Sequence, residues 1–168
     1  MHSKLKKQKK LRPVSPLPPE PQAQSSWALG NSYASAAVQL MQESKAETFL
    51  PTLFLFLHAL ELYLKAFLFY RGVSDSELRG VSHDLVACIR VCRKHGLSKH
   101  VMLSRTAVVQ VVRVNRYYSD KELEYFAPHA KKFGSIDTLA ETVAIVANGV
   151  FGPITEETFR VLSVEAKT

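Results

Sequence analysis

The sequence predicts an all-α protein: a four- to five-helix up-down bundle, residues 31–165, that follows a disordered basic, proline-rich tail, residues 1–30. Residues 49–70 are apolar on almost every side, which is typical of a helix buried at the centre of a bundle. The flanking segments repeat apolar residues at i, i+3, i+4 and i+7, as helices with one buried face do. Capping residues, glycines and prolines divide these segments into separate helices.

The N-terminal tail is basic at its start and rich in proline after that. Its first 12 residues include six Lys or Arg and no acidic residue, and five prolines follow by residue 21. Such a segment buries too little apolar surface to offset its chain entropy, so we expect residues 1 to about 26 to be disordered. Prolines also occupy the place of a signal peptide's apolar region. The basic cluster fits a solubilising leader, or a contact with nucleic acid or an anionic surface.

Capping signals delimit the first two helices. Asn31 or Ser32 is a suitable N-cap for the first helix, which is expected to end near Glu47. Pro51 fits the first turn of the second helix, residues 49–70, and Gly72 fits its C′ position. The predicted buried face of the first helix consists of Tyr33, Ala36, Ala37, Leu40 and Met41.

The second helix contains three ionisable residues, His58, Glu61 and Lys65, that project within about 60° of one another. An unpaired buried charge is strongly unfavourable, so Glu61 and Lys65 are expected to pair at i and i+4. His58 then needs a partner from elsewhere in the chain. A membrane span is the competing interpretation, and three ionisable side chains near its middle argue against it.

The spacing of Ser74 and Glu77 is that of a capping box and predicts a short helical turn before Gly80. A third helix is expected to start around Ser82 or His83. Its two cysteines are expected to be buried, reduced thiols that pack as small apolar groups. The predicted buried face of this helix is Leu85, Cys88, Ile89 and Cys92, and Gly96 is expected to close it.

Residues 101–118 are rich in valine but do not alternate as a strand does, so we predict a fourth helix. Ser119 and Glu122 have the spacing of another capping box, and Pro128 and Gly134 mark a loop. The predicted buried face of this helix is Val101, Val108, Val111, Val112 and Asn115.

A fifth helix is predicted over residues 135–150, broken by Gly152 and Pro153 and followed by a short last helix over residues 155–164. Its predicted buried residues are Ile136, Leu139, Ala140, Val143, Ala147 and Val150.

Charge is unevenly distributed along the folded part. Residues 86–118 include seven basic residues and no acidic one, whereas residues 119–165 include eight acidic and four basic residues. A segment of one sign produces a local positive field suited to phosphates or to an acidic partner surface. A solvated face balanced by the acidic C-terminal third explains the pattern equally well. The seven are Arg90, Arg93, Lys94, Lys99, Arg105, Arg113 and Arg116.

Several chemistries lack their sequence signals. No nucleophile stands in a sharp-turn motif, no glycine-rich phosphate loop is present, and neither HxxxH nor HExxH occurs, so we expect no cofactor and no metal. The aromatic residues near Arg113 and Arg116 fit either base stacking or a core or oligomer contact. They are Tyr117, Tyr118, Tyr125 and Phe126.

Three short motifs resemble a known family. HALELYLKAFLFYRG (58–72), SHDLVACIRVCRKHGL (82–97) and then Arg116-Tyr117 are similar to the HEPN domain superfamily, in the branch with an ALELYLKA, HDL and RY signature. The resemblance spans about residues 32–150. It implies a helical bundle, usually a homodimer, that binds RNA or nucleotides or acts in toxin–antitoxin, defence or stress systems. A nucleotidyltransferase-type protein is a partner that the resemblance suggests.

Matching positions give the candidate site. The branch signature falls on Glu61, Lys65, His83, Asp84, Arg116 and Tyr117, which we expect to form one polar cluster, with Arg113 as a further phosphate-binding residue.

Many HEPN proteins are metal-independent endoribonucleases with an Arg, four to six residues and then a His. Arg79 and His83 have three intervening residues, one too few. Arg90 and His95 have four but belong to the third helix. We therefore expect a non-catalytic, cytoplasmic binding protein without a membrane span. A ribonuclease and a purely structural or dimerisation domain are the alternatives.

Overall fold

A computed structural model describes residues 19–43, 45–123 and 133–165, and the regular structure within these ranges is entirely helical. The predicted all-α bundle is therefore confirmed. Short 3₁₀ turns lie at Ala46–Thr48 and Leu97–Lys99. The six α-helices are α1 (Pro19–Glu43), α2 (Phe49–Tyr70), α3 (Asp75–Arg79), α4 (Leu85–Lys94), α5 (Arg105–Ser119) and α6 (Ile136–Glu165).

Helix α2 is the centre of the bundle, and α1, α4 and α6 pack around it. Its predicted bounds and its end at Gly72 are confirmed. Gly72 has φ +75°, a conformation that favours glycine, and its N–H donates to the Phe69 carbonyl while the Val73 N–H donates to the Leu68 carbonyl. This Schellman motif satisfies the last carbonyls of α2 and turns the chain toward α3.

Helix α1 begins at Pro19, well before the predicted start at Asn31 or Ser32, and residues 19–26, predicted to be disordered, are helical. The first N–H groups of a helix have no intrahelical acceptor, so prolines in its first turn remove no hydrogen bond. Long-range packing then holds this part of the helix. Ala23 is buried, and the Trp27 ring contacts Phe151 of α6 and donates from Nε1 to the Ala147 carbonyl. Residues 1–18 lie outside the described part of the chain.

The capping box of Ser74 and Glu77 is confirmed at the start of α3. Helix α4 begins at Leu85, slightly later than predicted, because Asp84 rather than Ser82 or His83 is its N-cap. The expected burial of its apolar face is confirmed, both cysteines are free and buried, and Gly96 follows the helix with φ +94°.

Helix α5 is confirmed, but its predicted buried face is only partly right: Val101 and Val111 are buried, while Val108 and Asn115 are half-buried. Ser104 caps the helix, and Val112, predicted to be buried, is 52% exposed. Ser119 and Glu122 form no capping box: Ser119 is the last residue of α5, and a turn follows. Pro128, Tyr125 and Phe126 lie outside the described residues. The residues that α5 buries are Ala107, Gln110, Val111, Val114 and Tyr118.

Helix α6 continues through Pro153, so the predicted break there and the separate last helix are both wrong. The residue before proline normally clashes with the proline ring through its Cβ, and Gly152 has none. Pro153 and Ile154 are also buried, and this packing holds the helix together across the missing hydrogen bond.

Two helical stretches, Ala46–Tyr70 and Ile136–Thr155, are long and apolar enough to cross a membrane. This is weak evidence for a span, because the central helix of a soluble bundle has the same composition and 72% of the first stretch's apolar window is buried.

Candidate phosphate-binding cleft beside Glu61

A buried carboxylate on α2 organises the candidate site. Glu61 is 2% exposed and accepts hydrogen bonds at both oxygens. Lys65 Nζ lies 2.5 Å from Oε1, which confirms the predicted i and i+4 pair. The Tyr118 hydroxyl of α5 lies 2.5 Å from Oε2, and His83 Nδ1 lies 3.1 Å from the same oxygen. Glu61 therefore joins α2, α5 and the segment before α4.

The partner that His58 needs is Tyr118, whose hydroxyl lies 2.9 Å from His58 Nδ1. The His58 and Tyr33 rings pack in a T-shaped arrangement, and the His58 ring stacks on Phe54. These contacts place His58 between α1 and α5. We use the name Glu61 cluster for Glu61, Lys65, His58, His83 and Tyr118.

The acceptors fix the direction of the hydrogen bonds in the Glu61 cluster. An ionised carboxylate only accepts, so Tyr118 donates its single hydroxyl proton to Glu61 and His83 donates from Nδ1. His58 must then donate from Nδ1 to the Tyr118 oxygen. In both neutral imidazoles the proton is therefore on Nδ1, and Nε2 of His83 is left to interact outside the cluster.

Electrostatics keep Glu61 ionised. Burial alone would raise the pKa of the Glu61 carboxyl, but hydrogen bonds from Lys65, Tyr118 and His83, together with the Lys65 charge, outweigh it. The pKa therefore lies below the ordinary value of 4.5. The cluster thus contains a fixed negative charge that orients Lys65 and His83.

A cleft of about 250 Å³ lies directly outside this ion pair. Its polar lining comes from α2, from α3 and from the turn before α4, and none of its described lining residues is acidic. Ser82 in this turn has φ +46°, an uncommon conformation for a residue other than glycine. The cleft is lined by Lys65, Phe69, Leu78, Arg79, Ser82 and His83.

Asp84, predicted to belong to the cluster, has a different place. It is the N-cap of α4, where its Oδ1 accepts from the Ala87 N–H at 2.9 Å and from Asn115 Nδ2 at 3.0 Å. Asn115 Oδ1 accepts in turn from the Leu85 N–H. Asp84 therefore fixes the start of α4 against α5 and holds the preceding residue, His83, beside Glu61.

Arg113, Arg116 and Tyr117 do not line the cleft. Both arginines are exposed on α5, and the Arg116 guanidinium lies 5.0 Å from the centre of the Tyr117 ring. Tyr117 packs edge-on against Phe133. The expectation of one cluster therefore holds for Glu61, Lys65 and His83, while Tyr118 takes the place predicted for Tyr117.

The two Arg and His pairs considered for catalysis differ in their position relative to the cleft. Arg79 and His83 both line the cleft. Arg90 lies in the middle of α4 and His95 at its C-terminal end, and neither lines the cleft. Within the described ranges, no group of three His, Cys, Asp or Glu side chains could hold a metal ion.

Tyr118 was the residue hardest to identify from sequence. Its signal was the spacing of Ala107, Val111, Val114 and Tyr118, which share one helical face, but the valines at other positions obscured it.

Comparison of the chain with protein-family models, with curated proteins and with solved structures finds no match. The HEPN resemblance stays a prediction from the motifs.

Proposed function

We propose that this protein binds RNA or a nucleotide through phosphate at the cleft lined by Lys65, Arg79, Ser82 and His83, without chemistry. The observation that carries the proposal is the paired, buried Glu61 carboxylate, which holds Lys65 and His83 at the edge of a cleft that also receives Arg79. Lysine and arginine are common phosphate-binding residues, and the unprotonated Nε2 of His83 can accept a hydrogen bond from a ligand hydroxyl or N–H group.

The charge balance supports an anionic ligand. Lys65 and Arg79 are the two charged residues among those that line the cleft, and both are basic, while Glu61 contacts Lys65 from the buried side. The resemblance to the HEPN superfamily, which implies RNA or nucleotide binding, independently supports the same ligand class. A homodimer, a nucleotidyltransferase-type partner and a cytoplasmic location stay predictions of that resemblance.

Titration of a fluorescently labelled single-stranded RNA at low and moderate salt tests the proposal. We expect the affinity to fall with salt, with the slope of log K against log salt reduced by about 0.7 for each phosphate contact removed. Arg79→Gln should reduce both affinity and slope. Arg105→Gln, at an exposed arginine outside the cleft, is the matched control. No binding, salt-independent binding, or equal behaviour of the two variants would contradict the proposal.

A specific observation also favours ribonuclease activity as a second candidate. Arg79 and His83 share one cleft, and the Glu61 carboxylate orients His83 through Nδ1, which leaves Nε2 for proton transfer. Incubation of RNA with the protein in EDTA should then give cleavage that His83→Ala abolishes and His95→Ala preserves. Intact RNA after prolonged incubation would exclude this candidate and leave the binding proposal standing.

A third candidate, a purely structural role for the Glu61 cluster, predicts a different result. Lys65→Met would then lower stability and leave RNA affinity unchanged. Lys99→Met, at an exposed lysine outside the cleft, controls for loss of net charge.

A further inference from the structure

A groove between α4 and α5 has an apolar floor and a cationic rim. Its cavity of about 480 Å³ is separate from the cleft beside Glu61. Val111 and Ile89 at its floor are buried, but Val112 is 52% exposed. The groove is lined by Val86, Ile89, Arg90, Arg93, Lys94, Val108, Val111 and Val112.

A second depression of about 320 Å³ shares one lining residue, Arg93, with the groove. Met102 lines this depression and is 87% exposed. The groove and the depression thus each present an exposed apolar side chain, Val112 in the first and Met102 in the second.

The charged residues that line the groove are all basic. All seven basic residues of residues 86–118 are exposed, and this stretch includes no acidic residue. Within the part of the chain that the structure describes, Arg90, Arg93 and Lys94 form no ion pair. An occupant that covers the apolar floor would therefore meet three cations that are ready to pair with carboxylates.

We propose that the α4–α5 groove binds an acidic amphipathic helix of a partner protein. The ten residues of α4 give the groove a length of about 15 Å, which matches about three turns of a partner helix. Apolar residues of that helix at i, i+3 or i+4 and i+7 enter the groove, and its acidic residues pair with Arg90, Arg93 and Lys94.

Other occupants fit these observations less well. Single-stranded RNA uses aromatic rings for base stacking, and the described lining of the groove is aliphatic and cationic. The chain's own N-terminal tail begins with six basic and no acidic residues among its first 12, so the rim would repel it. An acidic amphipathic helix complements both the apolar floor and the cationic rim.

The probe is a fluorescein-labelled peptide of about 18 residues with Leu on one helical face and Glu and Gln on the other. It is titrated into the full chain, with a scrambled peptide of the same composition as its control. We expect the amphipathic peptide to bind at least about tenfold more tightly than the scrambled one, because only the first presents its leucines together.

Two valines of α5 provide a matched pair of variants. Val112 lines the groove and Val109 does not, yet their exposed fractions, 52% and 48%, are nearly equal. Val112→Asp should weaken peptide binding about tenfold or more, and Val109→Asp should change it less than about twofold. Arg93→Glu should also weaken binding, more so than Arg105→Glu outside the groove.

Several results would overturn the proposal. Equal binding of the two peptides would mean attraction by charge alone, and equal effects of Val112→Asp and Val109→Asp would place the contact elsewhere. Loss of self-association in Val112→Asp without an effect on peptide binding would assign the groove to a second copy. Loss of RNA binding in Val112→Asp would assign it to RNA. If the unmodified protein and its variants all fail to bind RNA while the peptide still binds, the RNA-binding proposal is contradicted and the groove proposal is not.

Discussion

The Glu61 cluster and the α4–α5 groove each contain three basic side chains, but only the first contains an acid. In the cluster, Lys65 and His83 contact one buried carboxylate, and His58 reaches it through Tyr118. In the groove, the cations surround an apolar floor and are solvent-exposed. The comparison shows that the presence of a carboxylate partner determines whether basic side chains have a structural role. Bases that are paired with a buried carboxylate fix the packing of three segments, whereas bases that are unpaired and exposed remain available to a partner.

The largest expected effect is that of Glu61→Ala. It leaves Lys65, His83 and Tyr118 without their common acceptor, and we expect a loss of about 3 kcal/mol of unfolding free energy in urea titrations. This figure is at the lower end for a broken buried ion pair, because Lys65 and His83 reach solvent. Glu43→Ala, at an exposed acid paired with Lys45, should change stability by less than about 0.5 kcal/mol. Similar losses in the two variants would show that burial gives Glu61 no special role.

A fall in pH is expected to lower the stability of the protein by less than Glu61→Ala does. Because the pKa of Glu61 is lowered in the folded state, its contribution to stability is present above about pH 4.5, the ordinary value, and is lost as pH falls through the folded pKa. Glu61→Gln cannot ionise, so its urea midpoint should fall less steeply below pH 4.5 than that of the unmodified protein. Parallel pH profiles of the two proteins would contradict the lowered pKa.

Tyr118→Phe should have a smaller effect again, about 1 kcal/mol, because it removes the hydroxyl that links His58 to Glu61 and keeps the ring. Tyr117→Phe is the neighbouring comparison, since the half-buried Tyr117 ring packs against Phe133 outside the cluster. Thermal unfolding should rank the Tyr118 variant below the Tyr117 variant. The opposite ranking would indicate that the hydroxyl of Tyr117, the residue of the RY motif, contributes more to stability than that of Tyr118.

The smallest effect is expected in the groove. Arg90→Gln and Arg93→Gln should each change the unfolding free energy by less than about 0.5 kcal/mol, because both residues are exposed and neither forms an ion pair within the described residues. A loss of more than about 1 kcal/mol in either variant would give these cations a structural role and remove the contrast with the cluster.

Local signals in the sequence were sufficient where the structure depends on local interactions. The bounds of α2, the Glu61 and Lys65 pair and the capping box of Ser74 and Glu77 all involve residues at most a few positions apart. Each was predictable, because helical geometry alone brings such residues together.

Features that depend on distant packing were not predictable in this way. The start of α1 at Pro19 is held by Trp27 against α6, 120 residues away in sequence. The choice of Tyr118 over Tyr117 follows from the rotation of α5, which the valine-rich pattern leaves ambiguous. The helix through Pro153 likewise depends on buried neighbours and on the missing Cβ of Gly152.

The central claim is that Glu61 holds His83 through Nδ1 and leaves Nε2 as an acceptor for a hydroxyl or N–H group of an RNA or nucleotide ligand in the cleft. Long-range ¹H–¹⁵N correlation spectra of the histidine rings test it directly, because they distinguish the two neutral tautomers. The account predicts an Nδ1–H tautomer for His83 and His58, and a shift of the His83 Nε2 signal, larger than that of His58, when single-stranded RNA is added. An Nε2–H tautomer for His83, or RNA binding that leaves the His83 signals unchanged, would contradict it.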